Sequence, residues 1–275
     1  MKNTFTILLF LSGLVTHAQP NCQAFLYYGD TLKYEACVQA SQAAGHYQFS
    51  REYQESLDKA IAIDSTFYYP YWAKSIAYLK SGDFITWQKL IDKAVELKPT
   101  ENLGYRGWCR YQFFRDYQGA ITDIETLEDM VDHDIGYSQN GTYHLKVALA
   151  LCYKAIGEPQ KAVQLMKDQI QKNEEENFVG TYDYLHLGVL YLELEEYDLA
   201  AEAFKNQTNR YELAENQYYL ALLYKTLNEP EKAKVSLRLA KDLYVDRIRL
   251  FDPYSNPMDR IYLENIESQM MALGM

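Results

Sequence analysis

Small and aromatic residues recur along this chain at a regular interval, set among apolar positions three and four residues apart. The best-formed stretch reads Tyr184-Leu185-His186-Leu187-Gly188-Val189-Leu190-Tyr191, followed by Tyr197-Asp198-Leu199-Ala200-Ala201-Glu202-Ala203-Phe204. Such spacings put the residues on one helical face, so the stretch predicts two helices joined by a short turn. Tyr53, Trp87, Ala120, Ala162, Ala200 and Ala233 open the second helix of successive copies, at steps of 34, 33, 42, 38 and 33 residues. In the first helices, Tyr78, Tyr111, Tyr153, Tyr191 and Tyr224 are equivalent, and Ser75, Trp108, Ala150, Gly188 and Ala221 stand three residues before them. A small residue lets two antiparallel helices approach, and an aromatic fills the wedge beside it. The two long steps carry extra polar, Gly-containing or charged residues over 132–142 and 173–180, which read as loops.

This pattern resembles the tetratricopeptide repeat family from about Lys33 to Leu243, with five fair copies and a weak first one. Tyr53, Trp87 and Trp108 depart from the small residues usual at their positions. The resemblance implies an all-α fold, a right-handed superhelical array of about five to six helix-turn-helix repeats. Stacked neighbours bury what one pair cannot, so the ends need caps. The array is expected over 19–251. A turn bracketed by Pro253 and Pro257 follows, and then a capping helix over Met258 to Leu273, where Ile261, Leu263, Ile266, Met270 and Leu273 fall near one face.

In the family, first helices line a concave face that holds protein or peptide ligands. Carried onto this chain, that face takes Trp72, Ile76, Tyr105, Arg106, Phe113, His144, Lys154, Tyr182, His186 and Tyr218 as partner-binding residues. Tyr, Trp and Arg are the types that anchor interfaces. Some family members clamp a terminal carboxylate with Lys, Asn and Arg from successive first helices. Here Arg106 would fit the final Arg, but Asn102, Ala73, Val38 and Gln42 replace the other members, so that clamp is not expected.

The N-terminus changes the picture. Met1-Lys2-Asn3, an apolar run from Phe5 to Val15 and Thr16-His17-Ala18 read as a secretory signal over 1–18. The run is shorter than the ~20 residues of a membrane-spanning helix. Gln19-Pro20-Asn21 before Cys22 do not fit a lipid-attachment site. An exported location, periplasmic or extracellular and bacterial, is expected. The four cysteines then allow disulfides. Cys22 and Cys37 could tie the N-terminal segment to the first helix; Cys109 and Cys152 could meet, or serve as small buried apolar residues. None has zinc-ligand spacing, and no metal site is expected.

The formal net charge of -11 becomes -12 once Lys2 leaves with the signal. That acidity argues against a broad nucleic-acid surface. No nucleophile motif or phosphate-cradling loop appears, and His186, between Leu185 and Leu187, reads as a groove or packing residue rather than a general base. Neither an enzyme nor a cofactor is expected. The sequence therefore points to an exported scaffold or adaptor that binds a protein or peptide, in bacterial envelope assembly or an envelope complex. Two alternatives stay open: a small-molecule or glycan site in the aromatic groove, and a structural spacer whose groove is filled by its own C-terminal segment.

Overall fold

Helix pairs dominate the computed structural model, which describes residues 20–275; the signal expected over 1–18 lies outside the described residues. The chain forms two units, one through Leu97 and one from Lys98 onward. The first holds α1 (Cys22–Tyr27), α2 (Thr31–Ser41), α3 (Arg51–Ile63), α4 (Tyr68–Ser81) and α5 (Phe84–Leu97). The second holds α6 (Pro99–Cys109), α7 (Tyr117–Met130), α8 (Leu145–Ala155), α9 (Pro159–Glu175), α10 (Asp183–Glu193), α11 (Tyr197–Arg210), α12 (Ala214–Thr226), α13 (Pro230–Val245) and α14 (Leu263–Ala272). Successive helices pack as pairs: α2 with α3, α4 with α5, α6 with α7, α8 with α9, α10 with α11, and α12 with α13.

Local chemistry starts and stops these helices. Ser50, Asp30, Asp116 and His144 accept hydrogen bonds from backbone N–H groups in the first turns of α3, α2, α7 and α8. Pro99, Pro159 and Pro230 occupy the first positions of α6, α9 and α13, where a missing N–H costs nothing. The turns inside five of the pairs share one geometry: Gly82, Arg115, Gly157, Glu195 and Asn228 all take positive φ. A left-handed residue there lets the chain reverse and satisfies the last carbonyls of the first helix.

In the first unit, Ala36, Cys37, Ala40, Leu57, Ala60, Phe67 and Ala73 form the core, with Phe25, Tyr53, Tyr69 and Trp72 packed against it. Cys22 and Cys37 are joined by a disulfide with a Cα separation of 5.5 Å, which fastens α1 to α2. Cys109 and Cys152, in the second unit, are free and buried.

In the second unit the small residues of the repeat register sit where helices meet. A methyl group on Gly188 would lie 2.5 Å from the Phe204 ring, so α10 and α11 approach through that glycine. Ala120, Ala162, Ala200 and Ala233 are fully buried. The third pair explains its own departure from the pattern. Trp108 occupies the expected small position, but Gly107 makes the close approach, with a Cβ there 2.9 Å from Ile124. The indole of Trp108 instead packs on Tyr111 and Tyr143.

The C-terminal helix is shorter than the pattern predicts. It begins at Leu263, not Met258, and packs on α13. Asp259 takes φ +61°, which no α-helix accommodates. Residues 252–262 therefore leave the helical path. Ile261 and Ile266, two of the expected helix-face residues, still reach the core formed with Ala214, Ala221, Ala233, Leu237 and Ala240.

Candidate functional site

Segment 250–262 crosses the first helices of the second unit. Asp259 is its deepest polar anchor, with its side chain 6 % exposed. One carboxylate oxygen accepts from Lys154 Nζ of α8 at 2.8 Å; the other is 2.7 Å from Nδ1 of His186 on α10. Lys154 also pairs with Glu193 at 2.9 Å, and His186 Nε2 lies 3.0 Å from the Tyr143 hydroxyl. The sequence Tyr143–His186–Asp259–Lys154–Glu193 is thus one hydrogen-bonded chain. A neutral ring with its proton on Nδ1 donates to Asp259 and accepts from Tyr143; a charged ring donates to both. Either form leaves no ring nitrogen unpaired.

Burial alone would raise the Asp259 carboxyl, but the Lys154 charge and the His186 hydrogen bond outweigh it and hold the group below the ordinary carboxylate value. Burial likewise opposes the charge on Lys154, and Asp259 with Glu193 reverses that, leaving the ammonium pKa raised. Both shifts favour the ionised pair.

Other contacts secure the segment on either side. Gln112, in the π-helical turn that follows α6, donates to Ser255 Oγ at 2.7 Å. Glu215, in the first turn of α12, accepts from the Leu250 N–H at 2.9 Å, beside a backbone bond from Ala214 to Ile248. Burial pushes the Glu215 carboxyl up to about 7, against the opposing pull of the Leu250 and Ile261 amides. Burial also pushes Asp183, which accepts from the Gly180 N–H, up to about 6. Lys225 bonds to Gln269 and Lys241 to Glu267, tying α14 to α12 and α13 independently of the crossing segment.

The expected partner-binding residues separate into groups. Lys154 and His186 converge on Asp259. Tyr182 is half-buried beside Tyr143, and Tyr218 packs edge-on against Tyr219. Arg106 turns to α7, where it meets Asp123 through two bonds at 2.9 and 2.6 Å; Arg110 joins the same carboxylate at 3.0 Å. Tyr105 and Phe113 are half-buried. His144 is buried and caps α8: Nδ1 accepts from Lys146 N–H, so Nε2 carries the proton donated to Asp134. Burial lowers its pKa, with Asp134 opposing. Trp72 and Ile76 belong to the first unit and are half-buried there, Trp72 against Tyr69.

Sequence reasoning missed Asp259, Tyr143, Glu193, Glu215 and Gln112. The two prolines around 253–257 were the available signal, since they mark a segment that cannot continue α13. Among the described residues, no helix is long and apolar enough to cross a membrane.

No protein-family model and no curated protein matches this sequence. Solved structures do resemble it. PilW, a widely conserved type IV pilus biogenesis factor, has a TM-score of 0.59 at 12 % identity, covering 90 % of this chain and 94 % of its own. YrrB, a tetratricopeptide repeat protein with an unusual peptide-binding site, has a TM-score of 0.53 at 18 % identity, covering 71 % and 95 %. A tetratricopeptide repeat protein from Parabacteroides merdae has a TM-score of 0.53 at 13 % identity, covering 92 % and 96 %. At these identities the likeness is one of architecture, and with the helix pairs described above it gives this chain the tetratricopeptide repeat fold.

Proposed function

We propose that this chain is an exported, non-enzymatic scaffold that binds a protein or peptide through its first-helix faces, in bacterial envelope assembly or an envelope complex. One observation carries the binding reading: in the second unit those faces already hold an irregular polypeptide segment by side-chain contacts, with Asp259 between Lys154 and His186. Stacked helix pairs offer such surfaces because curvature leaves one edge of every first helix uncovered. The peptide-binding site of YrrB and the pilus role of PilW, both in proteins of the same fold, support the reading. The disulfide between Cys22 and Cys37 supports export to an oxidising compartment.

Capture from native envelope extract tests it, using the chain from Gln19 and the variants Trp72→Ala, Tyr105→Ala and Tyr218→Ala. A partner retained by the unmodified chain and lost from at least one variant of unchanged melting temperature is expected. Equal capture by all the variants would remove the first-helix faces from the interaction.

A further inference from the structure

We propose that the first-helix face of the second unit recognises an acidic segment of a partner polypeptide, and that residues 252–260 are its built-in competitor. The proposal rests on the scaffold reading above and names the chemistry of the partner.

The receptor is made by separate repeats. Lys154 comes from α8 and His186 from α10, and each is held in place by a second partner, Glu193 and Tyr143. Two donors fixed from behind and converging on one point form a carboxylate site. A simple end cap has no use for it: apolar cover would serve as well, and a buried ion pair is a poor stabiliser compared with a packed apolar group. What such a set supplies is selection for a carboxylate side chain at one position of the bound segment.

The segment lies on this face as a ligand would. It is irregular, without helix or strand, bending over 253–255 and turning at Asp259, where the Arg260 N–H donates to the Pro257 carbonyl. Pro257, Asp259 and Ile261 point inward, while Tyr254 is 59 % exposed and Pro253 and Asn256 are also exposed. Ser255 adds one polar contact, to Gln112. The cap itself is anchored elsewhere, through the packing of α14 on α13 and the Lys225–Gln269 and Lys241–Glu267 contacts. Ile261 stays in the core with Ile266, so residues 252–260 can lift without loss of the cap. Its tethered ends also keep it at a high effective concentration, of millimolar order for a short link, so an external ligand must outcompete it. Asp259 adopts a left-handed conformation to reach its partners, a constraint an untethered segment does not share.

The test uses the full chain from Gln19 and a fluorescently labelled peptide of residues 252–262. Binding is read by anisotropy to four proteins: unmodified, Asp259→Asn, a chain with residues 252–260 replaced by a Gly/Ser linker of equal length, and that linker chain with Lys154→Met. The linker chain should bind the peptide at least about tenfold more tightly than the unmodified chain, because the competitor is gone. Asp259→Asn should fall between them. Lys154→Met, or a peptide with Asn in place of Asp259, should abolish the gain. Folded linker chain that fails to bind overturns the proposal, as does binding indifferent to Asp259. Unfolding of both the Asp259→Asn and the linker chain overturns it too, since the segment is then an integral part of the fold. A dimer of the unmodified chain that excludes the peptide would make the occupant a second copy and also overturns it. Failure here alongside variant-sensitive capture from envelope extract would leave the scaffold reading intact; the reverse pattern would separate them the other way.

Discussion

The Lys154 ammonium and the Asp259 carboxylate lie 2.8 Å apart, although 105 residues separate them along the chain. The contact joins the first helix of the fourth pair to a segment beyond the last pair. Each group is almost fully buried, and each has a further partner, so neither side chain is held by this bond alone.

Removing one member of a buried ion pair with no escape costs about 3–5 kcal/mol. Here the charge left behind has an escape, because residues 252–260 can lift into water. Lys154→Met is therefore expected to act locally. Amide exchange over 252–260 should quicken by about tenfold or more, while protection in α8 and α10 stays as it was. A uniform loss of protection across all helices would show that the segment and the helix pairs open as one unit, and the escape argument would fail.

Gly188 fixes how closely α10 meets α11. An added methyl group would sit 2.5 Å from two atoms of the Phe204 ring, which is fully buried and has little room to turn. Gly188→Ala should then cost about 1–3 kcal/mol in urea unfolding, as overpacking does, despite the higher helix propensity of alanine. Pairing it with Phe204→Leu should recover part of the loss. A stabilised Gly188→Ala chain would contradict the packing described.

Gly188 also shows what was legible in the sequence. The small residue and its aromatic neighbours are local signals, repeated often enough to reveal six helix pairs and their turns. Trp108 looked like a defect in the pattern because the close contact had moved one residue earlier, to Gly107. The stretch 258–273 is the instructive failure. Its apolar residues fall at helical spacing, and Ile261 and Ile266 do face the core, yet residues 258–262 are not helical and turn at Asp259. What overrides the local preference is a carboxylate committed to side chains 73 and 105 residues away. No window of local sequence carries that information. Lys154 and His186 could be placed on first helices from the register; that they share a partner could not.

The Cys22–Cys37 bridge closes a sequence separation of 15 residues. A loop of that size corresponds to about 3 kcal/mol of stabilisation in the chain-entropy account. Cys22→Ser with Cys37→Ser should lower the stability of the first unit by that order, read as earlier loss of protection in α2 and α3. The second unit, whose Cys109 and Cys152 thiols are buried and pushed far up by burial, should be unaffected. Alkylation of the native oxidised protein should label neither of those thiols; after denaturation it should label both and no others. Four labelled cysteines would mean that the bridge does not form.

Glu215 sets a pH dependence whose sign can be worked out. Its carboxyl titrates at about 7 in the folded chain, raised by burial, against an ordinary value of 4.5. Between those values the folded state holds a proton that the unfolded state has released. Its contribution to stability is thus complete below about pH 4.5 and is lost as pH rises through 7. Asp183, raised to about 6, acts in the same direction. His144 opposes them: burial lowers its pKa, so the unfolded chain takes up a proton first and stability falls as pH drops below 6.5. The unmodified chain reports the sum of all three. Comparison with Glu215→Gln isolates one of them, because Asp183 and His144 titrate in both proteins. Relative to the unmodified chain, Glu215→Gln should gain on the order of 3 kcal/mol between pH 4.5 and pH 8, most of it between 5 and 7. Urea midpoints measured at unit steps of pH would show it. Two curves that stay parallel over that range would mean that Glu215 is ionised at the same pH in the folded and unfolded chains, and that the Leu250 amide it accepts does not hold it in a buried setting.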